Sequence, residues 1–335
     1  MTRERLYVWD NLKFMLIVLV VLGHFLGVLG NASDLSKRVY LCIYSFHMPL
    51  FVFISGVFSE KIPANRDRTI NKLALLLWMY LFIKAWTFVS SSLFNGSIAR
   101  FSLLDASGME WYPLALIYAR VMTAAVARHD ERFVLVVSIA FACLIGYDPT
   151  LTDTLACARC IVFFPFYYLG SCLGPRSFER IQNRFSKGIA IALITIFFSI
   201  LCIRLDDLYW LRIVFSAHNP YNTFGDYGNY GGIIRCIWYL VSILLCLAFI
   251  AVFPNRRLRI SKWGSATLPI FVFHGTLIYV CKALLASVPK ESNLCVLLAC
   301  FMSVGIVLVL GCEPIAKALS IPLSLPNRYV VPPEA

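Results

Sequence analysis

Charge is scarce in this chain, and acidic charge scarcest of all: of 335 residues, 14% are charged, with 18 Asp or Glu against 30 Lys or Arg. Soluble domains carry about 25% charged and 45–50% apolar residues, whereas here 60% are hydrophobic, which excludes an ordinary soluble domain. No polar linker long enough to separate domains interrupts the chain, and no segment repeats at a fixed period. The reading is therefore a single domain over residues 1 to 335. No soluble basic domain is present to exploit the net charge of +12, so nucleic-acid binding is not expected. A second cysteine pair is also lacking. The C-x-x-C formed by Cys157 and Cys160 stands alone, so the twelve cysteines read as small buried hydrophobes and no metal site is expected.

What the chain has is apolar length. Ten runs of roughly 16 to 23 residues each suffice, at about 1.5 Å per residue, to cross a membrane core of about 30 Å. They lie approximately at 12–30, 39–58, 73–94, 111–127, 132–147, 157–174, 188–203, 231–253, 267–288 and 292–315. Backbone in lipid must satisfy its own hydrogen bonds, so runs of this length read as helices. The predicted fold is all-α: a polytopic membrane bundle of about ten transmembrane helices. The first run is longer than a signal-peptide core and lacks an A-x-A site, so it is expected to be retained. With the N-terminus in the cytoplasm, the inner loops and Arg132 at their edge hold fourteen Lys or Arg and the outer loops six. The positive-inside rule then places both termini in the cytoplasm, with the lipid bilayer as partner and a multi-pass plasma membrane location, a bacterial inner membrane being the expected one.

Five bases fall well inside runs: Lys84, Arg120, Arg159, Arg235 and Lys282. The runs hold essentially no acid to match them except Glu313, and a charge near mid-bilayer costs several kcal/mol, so it normally faces a cavity or a partner. An anionic ligand would fill the gap; acyl-CoA, phosphorylated lipid carriers and transported anions all qualify. Snorkelling to an interface is the competing account for Lys282, Arg235 and Arg159, and a weaker one for Arg120 and Lys84.

The first run opens "DNLKFMLIVLVVLGH" and so ends its apolar stretch on His24. Lys13 and His24 are eleven residues apart, which returns them to within about 20° of one another on one helical face, about 16 Å apart along it, with Asp10 on the same side. In the second run, "YSFHMPLFVFISG", His47 lies about 12 Å below the outer boundary, against about 9 Å for His24. Two imidazoles at matching depth can take a proton from a hydroxyl or attack a thioester. His274 reads as lying nearer the cytoplasmic end, in a structural or donor-side role, and His129 and His218 as ordinary loop residues. The long outer segment at 204 to 230 mixes Tyr, Phe and Trp with Asp and Asn, which suits stacking on sugar rings and equally suits an interfacial aromatic belt.

These motifs resemble the integral-membrane Acyltransferase 3 family, particularly its fucose 4-O-acetylase-like branch. "WDNLKFMLIVLVVLGH" has the family's base, ten-residue gap and histidine, with Lys13 where Arg is common. "YSFHMPLFVFISGVF" is similar to the branch's Phe-His-Met-Pro-Leu-Phe and Ser-Gly pattern. "EWYPLAL" resembles the Trp-Phe-Leu segment, from which Tyr112 and Pro113 depart; "RCIVFFPFYYLGSCLG" and "LPIFVFHG" are weaker echoes. The resemblance implies a ten-helix enzyme moving acetyl groups from cytoplasmic acetyl-CoA to hydroxyls of a sugar, glycan or lipid-linked saccharide on the outer side. It implies His24 as the leading catalytic residue with Lys13 in its motif, and His47, Arg159 and the Trp111–Tyr112 region lining the site. Asp10 would help Lys13 orient the first helix; Arg120, Arg235 and Lys84 join Arg159 as candidates for holding substrate. The rival class is an anion or sugar transporter using the intramembrane bases, although no repeated halves of the kind such proteins show are found. The acceptor hydroxyl and the oligomeric state stay open.

Overall fold

Each of the ten apolar runs folds as helix. The structure, a computed structural model, describes residues 5–60, 66–98 and 100–326. Lys61 of the basic loop at 59 to 72 and the end of the C-terminal segment lie outside the described residues, as do the side chains of Arg66 and Arg68. In chain order the helices are α1 (Tyr7–Val28), α2 (Asp34–Tyr44), α3 (His47–Val57), α4 (Arg66–Asn95), α5 (Trp111–Ala125), α6 (Glu131–Leu144), α7 (Cys157–Leu173) and α8 (Ser177–Arg184), then α9 (Lys187–Ile203), α10 (Leu205–Leu208), α11 (Leu211–Phe215), α12 (Gly231–Val252), α13 (Ser261–Gly264), α14 (Thr267–Leu284), α15 (Asn293–Leu310) and α16 (Glu313–Leu323). Short 3₁₀ segments occupy Ile145–Tyr147 and Tyr221–Tyr230. Among the described residues there is no strand, only an isolated bridge between Asp105 and Thr154.

Among the described residues six spans are long and apolar enough to cross a membrane, α2 and α3 forming one of them, and a seventh arises if α7 and α8, bent by 95°, count together. The remaining runs of the expected ten form α5, α6 and α9, of 15, 14 and 17 residues. Asp130 starts α6 as its N-cap, accepting from the Arg132 and Phe133 amides.

The outward faces identify the solvent these helices suit. On α6, Phe133, Val137, Phe141 and Leu144 are all exposed, and on α9 so are Ile189, Ile196, Ile200 and Ile203. On α15, Leu294, Leu297, Phe301 and Leu308 repeat the pattern. Spacings of three, four and seven residues make each set one continuous stripe. Continuous apolar stripes facing outward are unfavourable in water and match hydrocarbon. The protein is a multi-pass membrane protein.

The chain divides into two compact units. The first comprises Met1–Phe51, Pro175–Arg212 and Ser242–Ala318, the second Val52–Gly174, Ile213–Val241 and Leu319–Ala335. In the first unit α1 is the hub, packing on α2, α13, α14 and α15. Its N-terminal turns are pinned by polar bonds that an apolar sequence would not advertise. The Trp9 indole donates to the Pro175 carbonyl at 2.9 Å. The fully buried Asn11 amide donates to the Pro254 and Arg256 carbonyls at 3.0 and 3.1 Å and accepts from Ser261 Oγ at 2.6 Å. Gly264 of α13 lies against the Asp10 carbonyl so closely that a Cβ there would overlap it.

In the second unit α7 packs against α5 and α6, and its closest approach is to the C-terminal part of α3. A Cβ on Gly56 would overlap the Tyr167 carbonyl, and one on Gly170 would overlap the Phe53 carbonyl. The two glycines thus let the helix backbones touch from both sides, the small-residue packing favoured where van der Waals contact drives helix association. That gives a physical reason for the Ser-Gly and Leu-Gly positions of the sequence motifs.

Candidate active site and its charged surroundings

Three histidines converge in the first unit. His24 comes from the C-terminal half of α1, His47 from the start of α3 and His274 from the middle of α14. The His24 and His274 rings lie 5.2 Å apart between centroids, inclined by 56°. His24 is also close enough to His47 for the two to interact electrostatically. His274 is 0% exposed, His47 is buried and His24 is half-buried.

Local backbone sets the tautomers of the two buried rings. His47 Nδ1 lies 2.8 Å from the Ile43 carbonyl, and His274 Nδ1 lies 2.8 Å from the Phe271 carbonyl and 3.1 Å from that of Ile270. A carbonyl can only accept, so Nδ1 carries a proton in both. His274 Nε2 is buried with no hydrogen-bond partner, an uncommon state for a polar atom. The two buried rings are thus oriented by backbone carbonyls, that of Ile43 on α2 for His47 and those of α14 itself for His274.

Lys13 and Asp10 lie near the opposite end of α1. Asp10, nearly buried, accepts from Arg5 Nε at 2.8 Å and pairs with Lys13 Nζ at 3.0 Å. The segment that Asn11 grips carries Arg256, Arg257, Arg259 and Lys262, all exposed. Asp10 thus neutralises only part of a basic surface.

The second unit holds the remaining candidates, and here the structure corrects a premise. Lys84 and Arg159 were expected to lack acidic partners, because the apolar runs contain almost none; both have them, supplied by residues just beyond helix ends. Lys84 pairs with the buried Glu110 at 2.7 Å and donates to the Asp105 carbonyl. Arg159, 8% exposed rather than snorkelling, pairs with Asp153 at 3.2 Å. Its Nη1 also donates to the Ala106 and Ser107 carbonyls, its Nη2 approaches His218 Nδ1 at 2.7 Å, and its Cζ lies 5.6 Å from the Trp111 ring centroid. Trp111 in turn stacks on Phe163 at 5.1 Å. His218 Nδ1 also lies 3.2 Å from the Ser216 carbonyl, so the same nitrogen faces a guanidinium donor and a carbonyl acceptor. Burial, and then the Arg159 charge, push its pKa below the ordinary value.

Arg235 is 1% exposed, which also rules out snorkelling. No carboxylate pairs with it among the described residues; it donates to the Ala142 and Asn219 carbonyls and lies 4.7 Å from the Tyr221 ring centroid. Arg120 has a buried Nε without a hydrogen-bond partner. Tyr112, the departure from the family pattern, shares a 2.6 Å hydrogen bond with Ser55. Lys282 is exposed in the last turn of α14. Among the described residues no group of three or more His, Cys, Asp or Glu is arranged to hold a metal ion.

Sequence reasoning undervalued three residues. His274 reads from sequence as a structural or donor-side residue; the structure sets its ring 5.2 Å from that of His24, and the "LPIFVFHG" echo was the available signal. His218 was read as an ordinary loop residue, and nothing in its neighbourhood announces that it folds onto Arg159. Asn11 was passed over between the two charged residues of its motif.

Comparison with known proteins matches residues 6–312 to the family model described as an acyltransferase domain. The nodulation protein NolL of Mesorhizobium japonicum is 28% identical over 185 residues, covering 50% of this chain and 48% of the relative. NolL of Sinorhizobium fredii is 29% identical over 178 residues, covering 48% and 47%. The chain spans about half the length of these curated relatives. No solved structure matches it. With nearly its whole length accounted for by one family model, the chain belongs to the acyltransferase domain family of membrane proteins whose motifs its sequence carries.

Proposed function

We propose that the protein is a membrane O-acyltransferase, specifically an O-acetyltransferase of the fucose 4-O-acetylase-like branch. It takes acetyl groups from cytoplasmic acetyl-CoA and delivers them to a hydroxyl of a cell-surface or exported sugar, in a bacterial inner membrane with both termini inside. The observation that carries this reading is the histidine cluster, with His24 against His274, in a chain of this family.

A half-buried imidazole can act as a general base through its unprotonated nitrogen. In direct transfer His24 removes the acceptor hydroxyl proton as that oxygen attacks the thioester carbonyl. The tetrahedral oxyanion collapses, the C–S bond breaks, and the departing CoA thiolate takes the proton back from the imidazolium. The alternative course forms an acetyl-imidazole on His24 first, releasing CoA before the acceptor reacts. His274 and His47 act as positioning residues that keep the neighbourhood uncharged. Arg5, Lys13 and the bases at 256 to 262 are suited to the phosphates of CoA, with Asp10 holding Lys13 in place. Arg159 and Trp111, with Tyr112, Arg120, Arg235 and Lys84, are assigned to the substrate side.

Reconstitution of the full chain into sealed liposomes tests this. Labelled acetyl-CoA should yield alkali-labile label on added glycan, with no acceptor-free accumulation of anion or sugar inside. Solute accumulation without acetyl-CoA, and no label on any glycan, would favour the transporter reading instead.

A further inference from the structure

A second set of groups, used by nothing above, surrounds an open cavity of about 490 Å³ in the second unit, lined by Tyr147, Tyr221, Asn222, Asp226, Gly228 and Asn229 among others. That volume is within the roughly 300–1,000 Å³ range of small-molecule sites. We infer that this cavity binds the ring of a neutral sugar, and so is an acceptor subsite. The sugar identity rests on the acyl-acceptor reading above, while the cavity's chemistry stands on its own.

The floor is rigid. Tyr221 is almost fully buried, donates its hydroxyl to the Cys143 carbonyl at 2.7 Å and has Arg235 packed on its ring. Gly146 and Gly231 lie against that ring so closely that a Cβ on either would overlap it. This explains the buried cation without a carboxylate: Arg235 is spent on two carbonyls and on fixing an aromatic plate. Tyr147, more than half exposed, meets Tyr221 edge-on at 4.7 Å and forms a wall. Gly225, at φ +61°, supplies the kink between Asn222 and Asp226.

The lining chemistry then selects the ligand. No basic side chain lines the cavity, and Asp226 is its one formal charge, so phosphates and CoA are disfavoured. The side chains of Asp226 and Asn222 are exposed and, among the described residues, make no hydrogen bond or ion pair. A carboxylate accepts two hydroxyls, and an amide donates to one and accepts from another. Tyrosine faces and edges cover the C–H surface of a pyranose. Polar groups of this kind in an open, aromatic-walled cavity suit a polyhydroxylated neutral ring.

Saturation-transfer NMR on the detergent-solubilised full chain tests the site, using methyl α-fucoside and methyl β-glucoside as probes and choline as the cationic competitor. Transfer to the ring protons of at least one glycoside is expected. Affinity should fall about ten-fold or more in Asp226→Asn and in Tyr147→Ala, and hold in Tyr147→Phe, which keeps the wall. No transfer from either glycoside, wild-type affinity in both weakened variants, or displacement by choline would each overturn the inference. The two readings fail separately. Glycoside binding lost in these variants while the wild type moves no acetyl group would sink the proposed activity and leave the site. Acetyl transfer with an unaltered acceptor KM in both variants would sink the site and leave the activity.

Discussion

The histidine cluster of the first unit and the arginine centres of the second solve opposite problems. The histidines are oriented by backbone: His47 Nδ1–H donates to the Ile43 carbonyl of α2 and His274 Nδ1–H to the Phe271 carbonyl of α14. Arg159 and Arg235 stay charged, and each is surrounded by acceptors. Arg159 receives a carboxylate, carbonyls, an imidazole and an indole face; Arg235 receives two carbonyls and a phenol ring. A neutral imidazole is what proton abstraction needs, since an imidazolium has no lone pair to offer. A buried guanidinium instead holds architecture or anions, and its desolvation must be met by hydrogen bonds. The difference teaches where chemistry and where framework should be sought: an imidazole can offer a lone pair to a substrate, whereas a guanidinium can only donate.

The contrast can be broken by substitution, most severely at His24. His24→Ala should lower acetyl transfer by roughly 10²–10⁴-fold, the range of a lost general base, with unchanged protein in the membrane by immunoblot. His274→Ala should cost less, up to about 100-fold as a positioning loss. It should appear in kcat rather than in KM for acetyl-CoA and should shift the acid limb of the pH–rate profile. Arg159→Lys keeps the charge but loses the fork that reaches two carbonyls and His218; thermal unfolding in detergent should report a loss of about 1.5–3 kcal/mol. The smallest effect belongs to His218. Its folded pKa lies below the ordinary 6.5, so the unfolded chain binds a proton that the folded chain refuses. Stability should therefore fall as pH drops below about 6.5 towards the folded value, and His218→Gln should flatten that slope in melts between pH 7 and pH 5.

How much of this was legible depended on whether a signal was local. Apolar length dictates helices, and the position of each of the ten runs could be read directly, because lipid leaves the backbone no other choice. Helix ends were less legible: α5 ends at Ala125 and α6 at Leu144, each two or three residues before its apolar run does, and composition does not weigh that difference. The pairing of His24 with His47 was approachable from depth along two consecutive helices. The approach of His274, some 250 residues away in sequence, was not, since no local pattern encodes which face of α14 meets α1. The acids that close Lys84 and Arg159 were hidden for a similar reason: Glu110 and Asp153 are outside or at the edge of the apolar runs, and only the fold brings them back. Gly56 and Gly170 show the reverse case, where motif positions visible in sequence gain their meaning only when two backbones are seen to touch.

The central claim is that His24 carries the transfer chemistry. The most direct test supplies radiolabelled acetyl-CoA to the cytoplasmic face of sealed membranes and compares wild type, His24→Ala and Arg159→Lys for alkali-labile label in glycan. The account predicts label in wild type, its disappearance in His24→Ala at equal protein level, and reduced but measurable label in Arg159→Lys. Wild-type labelling by His24→Ala would contradict it.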